Sequence, residues 1–356
     1  MGLVVGVDLA TAEVRALVVD GAGTTVAEAR RSLAAPVSPR PGWWEQDAGS
    51  WWPATAGALR EVTGRLGHGA VDGVSVCATS GTVVALDGGG SPLGPALLYS
   101  DQRATAEAET AQEAGDDRWA GLGLRVRASF GLPKWAWLLH APGSGGGGVR
   151  RLAHASDVVV AALVGGPVAT DWSHALKSGY DPRREEWAGE AMAALGIDPA
   201  LLPEVRPPAS VAGEVGAAAA AATGLAAGTP VRLGMTDACA SQLAAGAARP
   251  GQGVSVLGST LVLKGVSTGP VADPAGAVYS HRHPDGWWLP GGASSTGGRA
   301  LTAGFPDRDL VELDRRAARH GPAAAVAYPL VGRGERFPFA RPDAEGFVLG
   351  GAAGEV

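Results

Sequence analysis

The 356 residues include no asparagine, one isoleucine (Ile197) and three lysines (Lys134, Lys177 and Lys264). The scarce residues are those with AT-rich codons, so a GC-rich genome explains the skew, and the alanine run Ala217 to Ala222 reads as ordinary helix. Only Cys77 and Cys239 are present, far apart and each among apolar or small residues. That excludes a disulfide framework and a Cys-x-x-Cys motif, and leaves two buried, reduced thiols. No stretch of 18 apolar residues occurs, which excludes a spanning helix, and Leu3 to Asp8 lack the basic start of a signal peptide. The expectation is a cytoplasmic protein. A formal net charge of -6 gives no electrostatic reason to expect nucleic acid or an anionic membrane as a partner.

Several catalytic signatures are missing too. None of the lysines sits in Gly-x-x-x-x-Gly-Lys-Ser/Thr, which removes the P-loop, and no His-Glu-x-x-His occurs. Gly143 to Gly148 fits Gly-x-Gly-x-x-Gly trivially, but Pro142 stands where a strand should lead in, so it reads as a glycine loop. Gly265-Val266-Ser267-Thr268-Gly269 matches a hydrolase elbow but runs into Pro270 instead of a helix. His281 and His283 have no evident third metal ligand nearby.

What is there is 46% apolar and long enough for two cores. Leu3 to Asp8 and Val14 to Asp20 read as strand, tight turn, strand, and Thr25 to Arg30 adds a third strand at a sheet edge. Ser50 to Leu66 has helical spacing. Gly73 to Asp87 again reads strand, polar turn, strand, and Gly253 to Lys264 repeats that grammar, so the second half echoes the first. Helices are expected near Gln102 to Glu113, Asp157 to Val164 and Asp237 to Ala248. The composition shift at Thr223 to Pro230 sets the expected boundary between domains 1–226 and 227–356.

Three polar turns and one acid carry the chemistry. Asp8 ends a strand at a turn with Ala10 and Thr11, where backbone N–H groups can receive phosphate oxygens while the carboxylate holds Mg²⁺ through water. Gly258, Ser259 and Thr260 can do the same from the second half. Asp237 follows an apolar strand at a helix start, where it either caps the helix or takes a proton from a substrate hydroxyl.

The order of these segments resembles the FGGY carbohydrate kinases of the actin-like ATPase superfamily. The residues that carry the likeness are Gly6-Val7-Asp8-Leu9-Ala10-Thr11, Trp44-Glu45-Gln46-Asp47 with Trp51-Trp52, Tyr99-Ser100-Asp101-Gln102-Arg103 and Pro133-Lys134-Trp135-Ala136-Trp137-Leu138. Ala78 to Val83, Thr170 to Ala175, Val278 to Arg282 and Gly291 to Gly298 look closest to the plant and cyanobacterial D-ribulokinases. The resemblance implies an α/β fold of two actin-like, ribonuclease H-like lobes with a central cleft, the second incomplete. It implies a sugar and ATP as small-molecule partners, Mg²⁺ as cofactor, and leaves room for a homodimer. By the same resemblance Asp237 is the catalytic base, Asp8 the Mg²⁺-organising acid, Ala10, Thr11, Gly258, Ser259 and Thr260 the phosphate binders, and Thr79, Ser80 and Asp101, with Asp237, the sugar side.

Two departures qualify the likeness. Ala10, Ala12 and Glu13 stand where the family commonly has two glycines and a hydroxyl, and Glu13 adds negative charge beside a polyphosphate. The segment with the family's Gly-Gly-Gly-Ala turn is absent before Val356, so a truncated kinase is expected. Thr79-Ser80-Gly81 replaces the Gln-Met-His usual in xylulokinases, which argues for D-ribulose over D-xylulose. The competing expectations are a sugar-binding kinase remnant that cannot hold ATP and an ATPase indifferent to sugar.

Overall fold

The structure, a computed structural model, describes residues 2–67, 69–140 and 146–350. Gly143 to Gly145 of the expected glycine loop and the chain end at Val356 lie outside them, while Gly146–Gly148 form a single 3-10 turn. The chain forms two compact units. One comprises Met1–Arg118, Val126–Ala244 and His281–Gly286, the other Trp119–Arg125, Ala245–Ser280 and Trp287–Val356.

The first unit is built on a six-stranded sheet in the spatial order Val211–Glu214, Pro230–Thr236, Val71–Ala78, Leu3–Leu9, Glu13–Asp20, Thr25–Ser32. Alternation explains its one-sided core. Val5, Val7 and Leu9 on one strand and Val14, Ala16 and Val18 on the next point inward, while Val4 and Leu17 remain exposed on the other face. Helix Trp51–Thr63 covers the inner face with Trp51, Thr55, Ala58, Leu59 and Val62, one stripe at helical spacing. Helix Ala155–Val164 joins the same core through Val159, Val160 and Leu163. Fully burying a side chain such as Leu59 contributes about 2 kcal/mol. No described helix is long and apolar enough to cross a membrane.

The parallel strands matter most for function. Leu3–Leu9, Val71–Ala78 and Pro230–Thr236 run in the same direction, with Leu9 opposite Ala78 and Ala78 opposite Thr236. Their carboxyl ends therefore meet at one edge of the sheet, where open α/β sheets hold ligands.

Strand Pro230–Thr236, expected in the second domain, is hydrogen-bonded into the first unit's sheet, so the units part at Ala244/Ala245. The expected strand pair around Thr79 to Gly81 is not a hairpin: Val83–Leu86 leaves the sheet and pairs with Arg151–His154 and Ala96–Leu97. Helix Asp237–Ala244 ends four residues short of the expected Ala248. Its successor loop is turned by Gly246 at φ 89°, a left-handed geometry that a side chain resists.

In the second unit, Gly253–Leu257, Leu261–Gly265 and Trp288–Ala293 run antiparallel, with Gly253–Leu257 outermost. Helix Leu310–His320 shows Arg315, Arg316 and Arg319 to solvent.

Candidate active site

At the sheet edge, parallel pairing sets Cys77 opposite Asp8, and Asp237 follows the last residue of the next strand over. The Cys77 thiol lies 3.7 Å from Asp8 Oδ1. Burial pushes that thiol up to about 12, and the charges of Asp8 and then Asp237 add to the effect, so it stays protonated between two carboxylates. Burial also raises the Asp8 carboxyl; Arg15, 3.8 Å away, pulls it back, and the negative charge of Asp237 lifts it again. Asp237 is half-buried and accepts from the Ala238 N–H at 2.6 Å. Two hard oxygen donors near one another are the set Mg²⁺ favours, with phosphate and water completing its shell. Among the described residues no group of three or more His, Cys, Asp or Glu forms a closed metal cage. The donors present fit a cation shared with a phosphate substrate.

The first turn closes through the Ala10 N–H to the Glu13 carbonyl at 3.1 Å. Gln46 holds it from outside the hairpin. Its amide donates to the Thr11 carbonyl at 2.8 Å and the Ala34 carbonyl at 3.0 Å, and its oxygen accepts from the Trp51 indole at 3.0 Å. Gln46 is thus fully used, which is why it can be buried. Glu13 does not present a bare charge: Arg15 and Arg30 engage one of its oxygens at 2.6 and 3.4 Å.

Leu9, Ala10, Thr11, Gln46, Thr79 and Thr82 share a small pocket with Trp51, Leu98 and Ala155. Within the 79–82 turn, Gly81 takes φ 81°, and a side chain there would press on the Ser129 carbonyl at 3.1 Å. The buried Lys134 ammonium donates to the carbonyls of Gly81 at 2.5 Å and Leu98 at 2.8 Å. Burial lowers it to about 7 against the pull of Asp101. Ser80 Oγ is buried without a hydrogen-bond partner among the described residues.

Asp101 differs from expectation. It is fully buried, and both oxygens are committed to Arg103, with the Trp44 N–H bound at 2.6 Å. Arg103 continues to Glu45 at 2.7 Å and lies over the rings of Trp43 and Trp137. In this arrangement Asp101 touches no solvent and positions the Trp43–Gln46 segment.

Gly258 and Ser259 are exposed and Thr260 half-buried at the tip of the second unit's hairpin. Main chain from the glycine-rich loop braces them: Gly298 N–H donates to Gly258 O at 2.7 Å, and Leu261 N–H to Thr296 O at 2.6 Å. A side chain at Gly297 would lie 2.5 Å from Thr260 Cα, so only glycine permits that approach. Behind the loop, Glu335 accepts from Ser294 Oγ at 2.7 Å, Ser295 N–H at 2.6 Å, Arg336 N–H at 2.7 Å and the Tyr328 hydroxyl. Burial opposes ionisation, yet these donors hold its carboxyl down at about 2. The first unit therefore carries Asp8, Ala10, Thr11, Thr79, Ser80, Asp101 and Asp237, and the second carries Gly258, Ser259 and Thr260.

Residues 3–244 match the N-terminal domain of the FGGY family of carbohydrate kinases. The chain belongs to this family. Among FGGY relatives, the xylulose kinase of Streptomyces rubiginosus is 35% identical over 294 residues, a match covering 81% of this chain and 59% of the relative. The glycerol kinase of Bordetella pertussis is 31% identical over 227 residues, covering 59% of this chain and 44% of that one. The chain thus spans less than two thirds of the length of these curated FGGY proteins. The solved xylulose kinase of Rhodospirillum rubrum superposes with a TM-score of 0.85 at 28% identity, covering 99% of this chain and 73% of that one. The fold is accordingly the mixed α/β, actin-like one of the FGGY kinases.

Sequence alone implies no role for Cys77, Gln46, Ser173, His174 or Glu335. Gln46, Ser173 and His174 stand inside segments that resemble the family, but nothing in spacing shows that a side chain bonds to a backbone 35 or 63 residues away.

Proposed function

We propose that the chain phosphorylates a ketopentose, converting D-ribulose to D-ribulose 5-phosphate with ATP as donor, in the cytoplasm. The observation that supports this best is the convergence of three parallel strand ends, which delivers Asp8, the Thr79–Gly81 turn and Asp237 to one sheet edge. In this reading Asp237 takes the proton from the attacking sugar hydroxyl. Thr79 and the partnerless Ser80 hydroxyl hold the sugar, and Asp101 acts at one remove by fixing Arg103. Thr11 offers its backbone N–H to the phosphate, while the Ala10 N–H closes the turn onto Glu13; the family resemblance gives Ser259 and Thr260 the same role, the Gly258 N–H being spent on the Thr260 carbonyl. Asp8 would hold Mg²⁺, which when bound neutralises charge on the phosphoryl oxygens. A positioned base contributes about 10²–10⁴-fold to such a step.

Asp237→Asn removes the base without changing volume. Sugar-dependent ATP consumption is expected to fall about 10²–10⁴-fold while the thermal melt stays put; unaltered turnover in this variant sinks the assignment. D-Xylulose is the second reading, favoured by 35% identity to a xylulose kinase. Thr79-Ser80-Gly81 at the substrate turn supports D-ribulose instead, and the ratio of kcat/KM for the two ketoses decides between them.

A further inference from the structure

We propose that Asp171, Ser173 and His174 are positioning residues that hold, from inside the protein, the two strand ends bearing the sugar turn and Asp237; this rests on the kinase reading above. The reason lies in a broken ladder. Pairing between Pro230–Thr236 and Val71–Ala78 shifts register between Leu233 and Thr236. The shift coincides with a close approach, since a side chain on Gly234 would come within 2.0 Å of the Val76 carbonyl oxygen. A bulge of this kind releases backbone groups that need other partners.

Side chains supply them. The Thr236 N–H, one residue before Asp237, donates to Ser173 Oγ at 2.8 Å. Ser173 Oγ in turn donates to Asp171 Oδ1 at 2.5 Å, and Asp171 Oδ2 meets His174 Nδ1 at 2.5 Å. His174 Nε2 reaches the carbonyl of Ala78 at 3.2 Å, one residue before Thr79. Both ring nitrogens thus face acceptors, which requires the imidazolium form. Asp171, Ser173, His174 and Thr236 are all buried, so water does not compete for these bonds. Capping of helix Trp172–Ala175 needs only the Asp171 carboxylate on the Ser173 and His174 N–H groups. The Ser173 hydroxyl and the far side of the His174 ring exceed that need, and both end on a backbone group adjoining the site.

Ser173→Ala tests the relay because it keeps the cap and the Asp171–His174 pair. Hydrogen exchange of a peptide spanning residues 234–238, read by mass spectrometry against one in strand Glu13–Asp20, is expected to quicken about five- to tenfold. In the same variant kcat is expected to fall about five- to tenfold with KM for ATP unchanged, and Ser173→Thr is expected to restore both. His174→Gln is expected to raise KM for the sugar while leaving kcat near wild type. Should Ser173→Ala not fold, Ser173→Cys, which keeps the volume and weakens the hydrogen bond, carries the same readouts. Unchanged exchange at 234–238 together with unchanged kcat overturns the proposal. If the wild-type chain shows no sugar-dependent turnover, the kinase reading fails on its own, and exchange alone then judges the relay: faster exchange supports it, wild-type exchange overturns it.

Discussion

The two hairpins proposed to bind phosphate are written in the same sequence grammar but fixed by different means. Residues 9–13 lie over a core of alternating buried valines and are stapled by the side chain of the buried Gln46. Residues 258–260 extend from a strand with little burial, Val256 and Leu257 being 50% and 69% exposed, and are braced by main chain and glycine contact from the 294–298 loop. A hairpin next to a filled core can be locked by one amide. One on an exposed strand needs a second loop laid against it, and that loop needs Glu335 to hold it.

Gln46→Ala sharpens the contrast with the largest effect. It orphans the Thr11 and Ala34 carbonyls and the Trp51 indole, so urea unfolding is expected to lose about 2–4 kcal/mol. Retained stability would show that the first turn does not depend on its staple. Glu335→Gln comes next, at about 1–3 kcal/mol for a charged acceptor serving several donors. Because the Glu335 carboxyl is lowered from 4.5 to about 2, its contribution is fully present above pH 4.5 and lost as pH falls through about 2. Melts of the variant are therefore expected to be less acid-sensitive than wild type over that window; parallel acid curves would contradict the geometry.

The first unit's interior adds a pH response of opposite sign. His174 is raised from 6.5 to about 9: burial opposes the charge, but the Asp171 carboxylate and the more distant Asp157 outweigh it. The neighbouring His154 ring, 5.6 Å away, is itself bonded to Asp157 and Thr170. Stability from the pair is complete below about pH 6.5 and drains as pH rises through about 9. Melting curves across pH 7–10 should show this slope in the wild type and lose it in His174→Gln. Glu13→Gln is the smallest change, under about 1 kcal/mol, since its partners Arg15 and Arg30 are exposed. A larger loss would mean that these arginines organise the first turn.

Much of the fold was legible because period-two alternation and helical stripes state which residues face a core. The opening meander, helix Trp51–Thr63 and the helix starting at Asp237 all follow from that pattern. Partnership was not legible: alternation says that Val83–Leu86 is a strand but not that it abandons its neighbour Val71–Ala78 for another sheet. The site divides along the same line. Asp8, Thr79 and Asp237 sit at strand ends, where position alone implies chemistry. Asp101 looks the same in one dimension, and only its burial against Arg103 separates a wall residue from a strut.

The crowding at Gly234 also bears on how this chain tolerates genetic change. Glycine to alanine is a single-base substitution, frequent in any mutagenised library and mild at most sites. Here it would drive a methyl group into the Val76 carbonyl and push apart the strands that frame Asp237. In a saturation screen scored by the yield of folded protein, codon 234 is therefore expected to accept glycine alone.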